Sequence, residues 1–175
     1  AFEFKYIRTI HNTQLWNAWG KVGIYVERFF QKHKSNIAIS ISTQDSYKKE
    51  YGEACPIIYN GMPIVAQQEF RDIIGGKINV LFAGRLEYQK GIDQLIETIV
   101  RLRKNDRIHF YIIGDGSLKE KLISGLSTCN NFSYYDKIYN LASYLSSFDF
   151  LFMPRNFEGL ALMPIEAGLA KLPCI

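Results

Sequence analysis

Two glutamates are the residues best placed by type and spacing to do chemistry. Glu158 and Glu166 stand with seven residues between them in the stretch FMPRNFEGLALMPIEAGLA, Phe152–Ala170. Carboxylates accept hydrogen bonds from hydroxyls, so a pair of them suits a ligand with hydroxyls at both ends, such as a ribose and a sugar. Two cations belong to the same question. An apolar run ending at Ala83 is followed by Gly84-Arg85-Leu86 and then Lys90-Gly91. Arg and Lys bind phosphate, Arg as a fork and Lys as a point charge. Two more apolar runs end in Gly114-Asp115-Gly116 and in Pro154-Arg155-Asn156-Phe157-Glu158-Gly159. Glycine at such ends lets a ligand approach the backbone. A helix starting after Gly159 offers free N–H groups and a positive dipole end, a second anion site. The combination suggests a diphosphate held between strand ends, with Glu158 in the loop before the helix and Glu166 about one turn inside it. The plainer reading makes Glu158 a helix-N-terminal carboxylate and Glu166 a solvated one, and spacing alone does not choose between them.

Several familiar sites are missing from the sequence. No GxGxxG follows a strand, no GxxxxGK[ST] occurs, and there is no GxSxG nucleophile elbow. No Asp-x-Asp pair is present to hold Mg²⁺ on a diphosphate. Arg85, Lys90 and backbone amides must then supply the charge compensation, and no metal cofactor is expected.

The elements that would position these residues alternate from Lys77 onward. Strands are predicted at 78–83, 108–113, 132–135 and 148–153, the last almost wholly apolar as for a strand covered on both faces, and 173–175 would open a fifth. Helical stripes fall between them: Ile92, Leu95, Ile96, Ile99 and Val100; Leu118, Leu122 and Leu126; Ile138, Leu141, Ala142 and Leu145; and 162–170, with Pro164 in its first turn. Such alternation means a doubly wound α/β domain with a parallel sheet, whose ligands bind beyond the carboxyl ends of the strands. The first sixty residues read as the tail of another α/β domain. They offer a strand at 4–10 ending at His11-Asn12, a helix over 21–34, a short strand at 37–41, and a helix capped by Ser42 or Thr43 and running to about Tyr51. The domains are therefore drawn as 1–55, with the linker, and 56–175. Gly75-Gly76 reads as a surface turn.

With 47% apolar and 22% charged residues, the chain has an ordinary globular composition. No apolar run approaches the roughly 20 residues that span a bilayer, and no signal-peptide pattern opens the chain. Cys55, Cys129 and Cys174 are widely spaced, as are the histidines, so neither a disulfide framework nor a zinc site is indicated. A start at Ala1 and an end at Pro173-Cys174-Ile175 suggest a fragment cut at both ends. Residues 1–60 carry eight Lys/Arg against five Asp/Glu, and aromatics alternate with the basic residues there: Trp16, Trp19, Lys21, Arg28, Phe29, Phe30, Lys32 and Lys34. That pattern suits either an anionic lipid surface or a solvated amphipathic helix set against a missing core. The absence of a long basic run argues against a nucleic-acid partner.

Taken together, these motifs resemble the family 4 glycosyltransferases of the two-domain GT-B fold. GRLEYQKG resembles their GRL-x-x-x-KG, IIGDG their donor-domain strand end, and the opening stretch their E-x7-E motif. IYNG resembles their linker, and IAISIS with the helix after it resembles the end of their first domain. The order and spacing match over nearly the whole chain. The resemblance implies transfer of a sugar, with retention, from a nucleotide diphosphate sugar (UDP- or GDP-linked) to a saccharide or lipid-linked acceptor, in cell-surface polysaccharide or glycolipid synthesis. It implies that Arg85 and Lys90 grip the diphosphate and stabilise it as leaving group, that Glu158 faces the donor sugar, and that Glu166 bonds the ribose. Gly84, Gly114 and Gly116 would line the donor site, the amides of Gly159, Leu160 and Ala161 would sit near the phosphates, and His11 would lie near the sugar. A cytoplasmic location follows, with peripheral contact at the inner face of the plasma membrane through the first domain left open. The alternatives are a non-catalytic nucleotide-sugar-binding module and a GT-B sugar-nucleotide epimerase. The sequence departs from the family pattern at Arg155, usually Ser, at Ala161, usually Gly, and at Lys171, usually Gly.

Overall fold

The structure, a computed structural model, describes residues 6–11, 20–156 and 161–175. Ala1, Asn12, Trp16, Trp19, Phe157, Glu158, Gly159 and Leu160, named above, and the first residues of the strand expected at 4–10 lie outside the described residues. The described residues divide into two compact units: residues up to Gly61 together with Ala161, and Met62–Asn156 together with Leu162–Ile175.

The first unit pairs β1 (Arg8–Ile10) with β2 (Asn36–Ala38) in parallel, connected through α1 (Gly20–Lys32) and followed by α2 (Ile41–Tyr51). The strand expected at 37–41 stops at Ala38, because the cap comes earlier than Ser42 or Thr43. Ser40 is the N-cap. Its Oγ accepts from the Thr43 N–H at 3.1 Å, and the Thr43 Oγ1 accepts from the Ser40 N–H at 2.9 Å. Thr43 is thus the inner partner of a reciprocal capping box, which satisfies two otherwise orphaned donors. Gly52 closes α2 at φ +80, its N–H bonded to the Lys48 carbonyl. Ile10, Ala38, Tyr47 and Cys55 form a small core.

A polar network sits inside this unit. Glu27 is buried, and the Arg8 Nη2 lies 2.6 Å from both of its carboxylate oxygens. The Tyr47 hydroxyl donates to the same carboxylate, and the Asn36 amide donates to the Tyr47 oxygen at 2.7 Å. Arg8 Nε donates to Asn36 Oδ1 at 2.8 Å, and its guanidinium lies 4.7 Å from the Phe30 ring centroid. A carboxylate taken from water needs such partners. Burial, and then the Glu27 carboxylate, push the Tyr47 phenol well above its ordinary pKa. On α1, Ile24, Tyr25 and Phe29 are exposed.

The second unit is a parallel sheet in the order β5-β4-β3-β6, made of β3 (Ile78–Ala83), β4 (Ile108–Ile113), β5 (Phe132–Tyr135) and β6 (Phe150–Leu151). Asn79 pairs with His109 and Ala83 with Ile113, so β3 and β4 end level. Alternate residues face opposite layers. Val80, Phe82, Phe110 and Ile112 meet Ile92, Leu95 and Ile99 of α3 (Ile92–Arg101) and Leu122 of α4 (Lys119–Gly125). On the other face, Leu81, Tyr111, Ile113 and Leu151 pack against Phe70, Phe148 and Ala167 of α5 (Leu162–Leu169). This is the doubly wound α/β arrangement expected from the sequence.

Two expectations need correction. The strand drawn over 148–153 is regular only at Phe150–Leu151, although ladder-type bonds continue from the Phe152 N–H to Leu81 and from the Met153 N–H to Ile175. The stripe Ile138, Leu141, Ala142 and Leu145 does not form an α-helix. It becomes two 3₁₀ turns, Leu141–Ser143 and Leu145–Ser147, entered through Asn140 at φ +55. Serines there bond backbone instead: Ser143 Oγ donates to the Asn140 carbonyl at 2.8 Å, and Ser147 Oγ accepts from the Phe70 N–H at 2.9 Å. Such side-chain bonds compete with a helix.

The end of α5 shows why glycine is usual at one position where this sequence departs from the family pattern. The Leu172 N–H reaches the Ala167 carbonyl at 2.8 Å, and the Lys171 N–H reaches Gly168 at 3.1 Å. This is the Schellman closure, whose turning residue is left-handed. Lys171 holds that place at φ +60. Beyond it Cys174 bridges Leu151 in parallel, where the fifth strand was expected to open. Among the described residues, no helix is long and apolar enough to cross a membrane.

Candidate functional site

Of the candidate residues, Gly84, Arg85, Lys90, Gly114 and Gly116 lie on the loops at the carboxyl ends of β3 and β4. Gly84 and Arg85 directly follow β3, and Gly114 and Gly116 directly follow β4. Lys90 closes a 3₁₀ turn, Tyr88–Lys90, and then folds back: its aliphatic stem lies 3.7–3.9 Å from where a Cβ on Gly84 would be. Arg85 is exposed and Lys90 half-buried. β6 is the other neighbour of β3, so the loop beginning at Pro154 opens beside the same edge. Glu166 lies half-buried on α5, and Ala161 is half-buried just before that helix. His11 is exposed at the carboxyl end of β1 in the first unit.

Two of the loop glycines are also required by main-chain packing. A Cβ on Gly114, at φ +151, would lie 1.9 Å from the Gly84 carbonyl oxygen. One on Gly91, at φ +68, would lie 2.5 Å from the Pro154 carbonyl oxygen. The room that a side chain would take is filled by the backbone of the next loop. Main-chain bonds then join the loops: Leu86 N–H to Asp115 at 2.9 Å, and Leu118 N–H to Leu86 at 2.9 Å. Three loops from three strands thus make one backbone platform, with the two cations on its central loop.

Side chains that the sequence did not single out fasten this platform. Glu87 accepts from the Ser117 N–H at 3.0 Å and from its hydroxyl at 2.7 Å. Those two bonds, helped by the nearby Arg85 charge, hold the Glu87 carboxyl below the usual carboxylate range. The Ser117 N–H and the Gly116 N–H, which donates to Asp115 Oδ1 at 2.9 Å, are therefore already engaged by carboxylates. On the other flank Asn156 bonds the backbone of Tyr88 and Gln89. Past Gly114, the Tyr134 hydroxyl lies 2.8 Å from the Gly114 carbonyl oxygen and 2.7 Å from Asp136 Oδ1, with one proton to donate between them, and Asp136 also pairs with Lys119. Burial first, then Asp136, push the Tyr134 phenol up to about 12. Nothing in local sequence flags Glu87 or Asn156, because each meets a partner 30 or more residues away. Their position inside the strand-end loops was the available signal.

A doubly wound sheet with its polar loops at the carboxyl edge is the architecture of a GT-B domain, and solved structures bear this out. Staphylococcus aureus TarM, solved with UDP among its ligands, superposes with a TM-score of 0.77 at 23% identity over 95% of this chain and 35% of its own. Anabaena HepE, solved with UDP-glucose, gives 0.80 at 16% identity over 96% of this chain and 52% of its own. A 41.2 kDa protein of the Klebsiella pneumoniae cps region is 28% identical over 194 residues, 99% of this chain and 52% of its own. The chain spans about half the length of the curated relatives it matches. The family described as Glycosyl transferases group 1 matches residues 77–175, and the chain belongs to that family.

Proposed function

We propose that this chain carries the donor-binding half of a retaining glycosyltransferase, which moves a sugar from a nucleotide diphosphate sugar to a saccharide or lipid-linked acceptor. The observation that carries the reading is the platform itself. Arg85 and Lys90 leave the loop after β3, between the glycine-packed loop after β4 and the loop after β6 that leads toward Glu158 and α5. Two cations on a rigid backbone suit a diphosphate, and they would stabilise the charge that grows on it as the sugar departs. Glu158 would face the donor sugar and Glu166 the ribose, with the amides of Gly159, Leu160 and Ala161 at the phosphates and His11 near the sugar. The family membership supports the reaction class. The UDP and UDP-glucose held by the two solved neighbours favour a uridine donor over a guanosine one. The place in cell-surface polysaccharide or glycolipid synthesis extends the family reading, as do the cytoplasmic location and the option of peripheral membrane contact through the first unit. Catalysis needs both domains of a GT-B enzyme closed around the donor, so the chain alone binds donor without turning it over.

Calorimetric titration with UDP, UDP-sugars and GDP-sugars, without added Mg²⁺, tests this. Binding should weaken about tenfold or more in Arg85→Ala and in Lys90→Ala, since a charge-assisted bond contributes roughly 1.5–3 kcal/mol. Unchanged affinity in both variants removes the diphosphate assignment. In the full-length protein with labelled donor, Glu158→Gln should abolish transfer, and intact transfer would remove Glu158 from the chemistry.

A further inference from the structure

The proposed donor site draws on loops from two strands, β3 and β6, and their register must be held by something. Asn156 makes three directed bonds there. Its Nδ2 donates to the Tyr88 carbonyl at 2.5 Å, and its backbone N–H donates to the Gln89 carbonyl at 3.1 Å. Its Oδ1 accepts from Gln94 Nε2 on α3 at 3.1 Å. Asn156 is exposed, so water could satisfy the same groups. Bonds of this kind add little to stability but fix geometry. What they fix is the turn that ends in Lys90. Close packing makes the hold tight, because the Pro154 carbonyl sits where a Gly91 side chain would be. On the opposite flank Glu87 ties the same loop to Ser117. The loop from Gly84 to Gly91 is therefore clamped from both neighbouring strands, and Asn156 is the clamp two residues before Glu158.

We propose that Asn156 is a positioning residue for donor binding: it sets the backbone of Tyr88–Lys90, and so the aim of the Lys90 ammonium, against the loop leading to Glu158. The proposal rests on Lys90 as a diphosphate ligand. It assigns no contact between Asn156 and the donor. Gln94 acts one step further out, by holding Asn156.

The test is UDP binding by calorimetry, with circular dichroism melts alongside. Asn156→Ala should weaken binding about five- to tenfold, as expected for losing directed bonds, while the thermal midpoint moves by no more than about 3 °C. Gln94→Ala should act in the same direction by about two- to threefold, and it covers the case in which Asn156→Ala fails to fold. The readout that a merely structural role would not move is coupling. Placed on Lys90→Ala, either substitution should change affinity by less than about twofold, because the cation it aims is gone. If Lys90→Ala weakens binding but Asn156→Ala and Gln94→Ala do not, or if their effects persist undiminished on Lys90→Ala, the positioning role is overturned. If Lys90→Ala itself binds UDP as the parent does, Lys90 is not a diphosphate ligand and this role falls with it, while the donor reading is lost only if Arg85→Ala leaves UDP affinity unchanged as well.

Discussion

The two units use charged side chains in opposite ways. In the first, Glu27 and Arg8 turn inward and saturate each other together with Asn36 and Tyr47. In the second, Arg85 stands exposed and Lys90 half-buried on a loop whose shape is set by glycine packing and main-chain bonds. A saturated internal charge network acts on folding. Charges displayed on a rigid backbone leave folding largely alone and can act on a ligand. Polar residue type therefore says little about role; what surrounds the charge decides it.

The largest effect should come from Glu27→Ala. It strands the Arg8 guanidinium and the Tyr47 and Asn36 groups, and should destabilise the first unit by about 3 kcal/mol. That is the low end for a broken buried pair, because the Arg8 side chain keeps 28% of its exposure. Urea unfolding measures it, and a loss below about 1 kcal/mol would make the network an ordinary surface pair. UDP affinity, measured with folded protein below the unfolding transition, should stay at the parent value.

Gly114→Ala should come next. Its Cβ would sit 1.9 Å from the Gly84 carbonyl at a φ of +151. Strain and forced backbone movement together should cost about 2–3 kcal/mol. Unlike Glu27→Ala, it should also weaken UDP binding, because the Gly84 carbonyl carries Arg85 with it when it moves. A destabilised protein with undiminished UDP affinity would show that the platform does not aim the cations.

The smallest effect is a gain. Lys171→Gly should stabilise the chain by about 0.5–1 kcal/mol, since glycine adopts the left-handed turn without the steric penalty of a Cβ. A thermal midpoint that falls would mean that the lysine side chain contributes more than its backbone geometry loses.

Much of the second unit was legible because strand and helix periods repeat over many residues. Ile78–Ala83, Ile108–Ile113 and the stripe Ile92, Leu95, Ile99 are all found where apolar pattern placed them. The stripe through Ile138 and Leu145 misled, since periodicity registers burial and not backbone bonding, and serines at 143 and 147 took those bonds elsewhere. Ser40 was missed as a cap because Ser42 and Thr43 are equally good candidates by type; only the bond pattern separates them. The cations at 85 and 90 could be picked out from the strand ends before them, whereas their supports Glu87, Ser117 and Asn156 could not.

By itself, the sequence determined which residues are apolar at which period, and hence a parallel α/β sheet with Arg85, Lys90 and three glycine-bearing loops at its carboxyl edge. Those are local properties, written within a turn or a strand. The tertiary structure decided that Gly114 makes room for the Gly84 carbonyl, that Glu27 lies buried under Arg8, and that Asn156 grips the loop of Lys90. Each of these depends on two segments far apart in the chain arriving within a few ångströms of each other, and only the packed sheet brings them there.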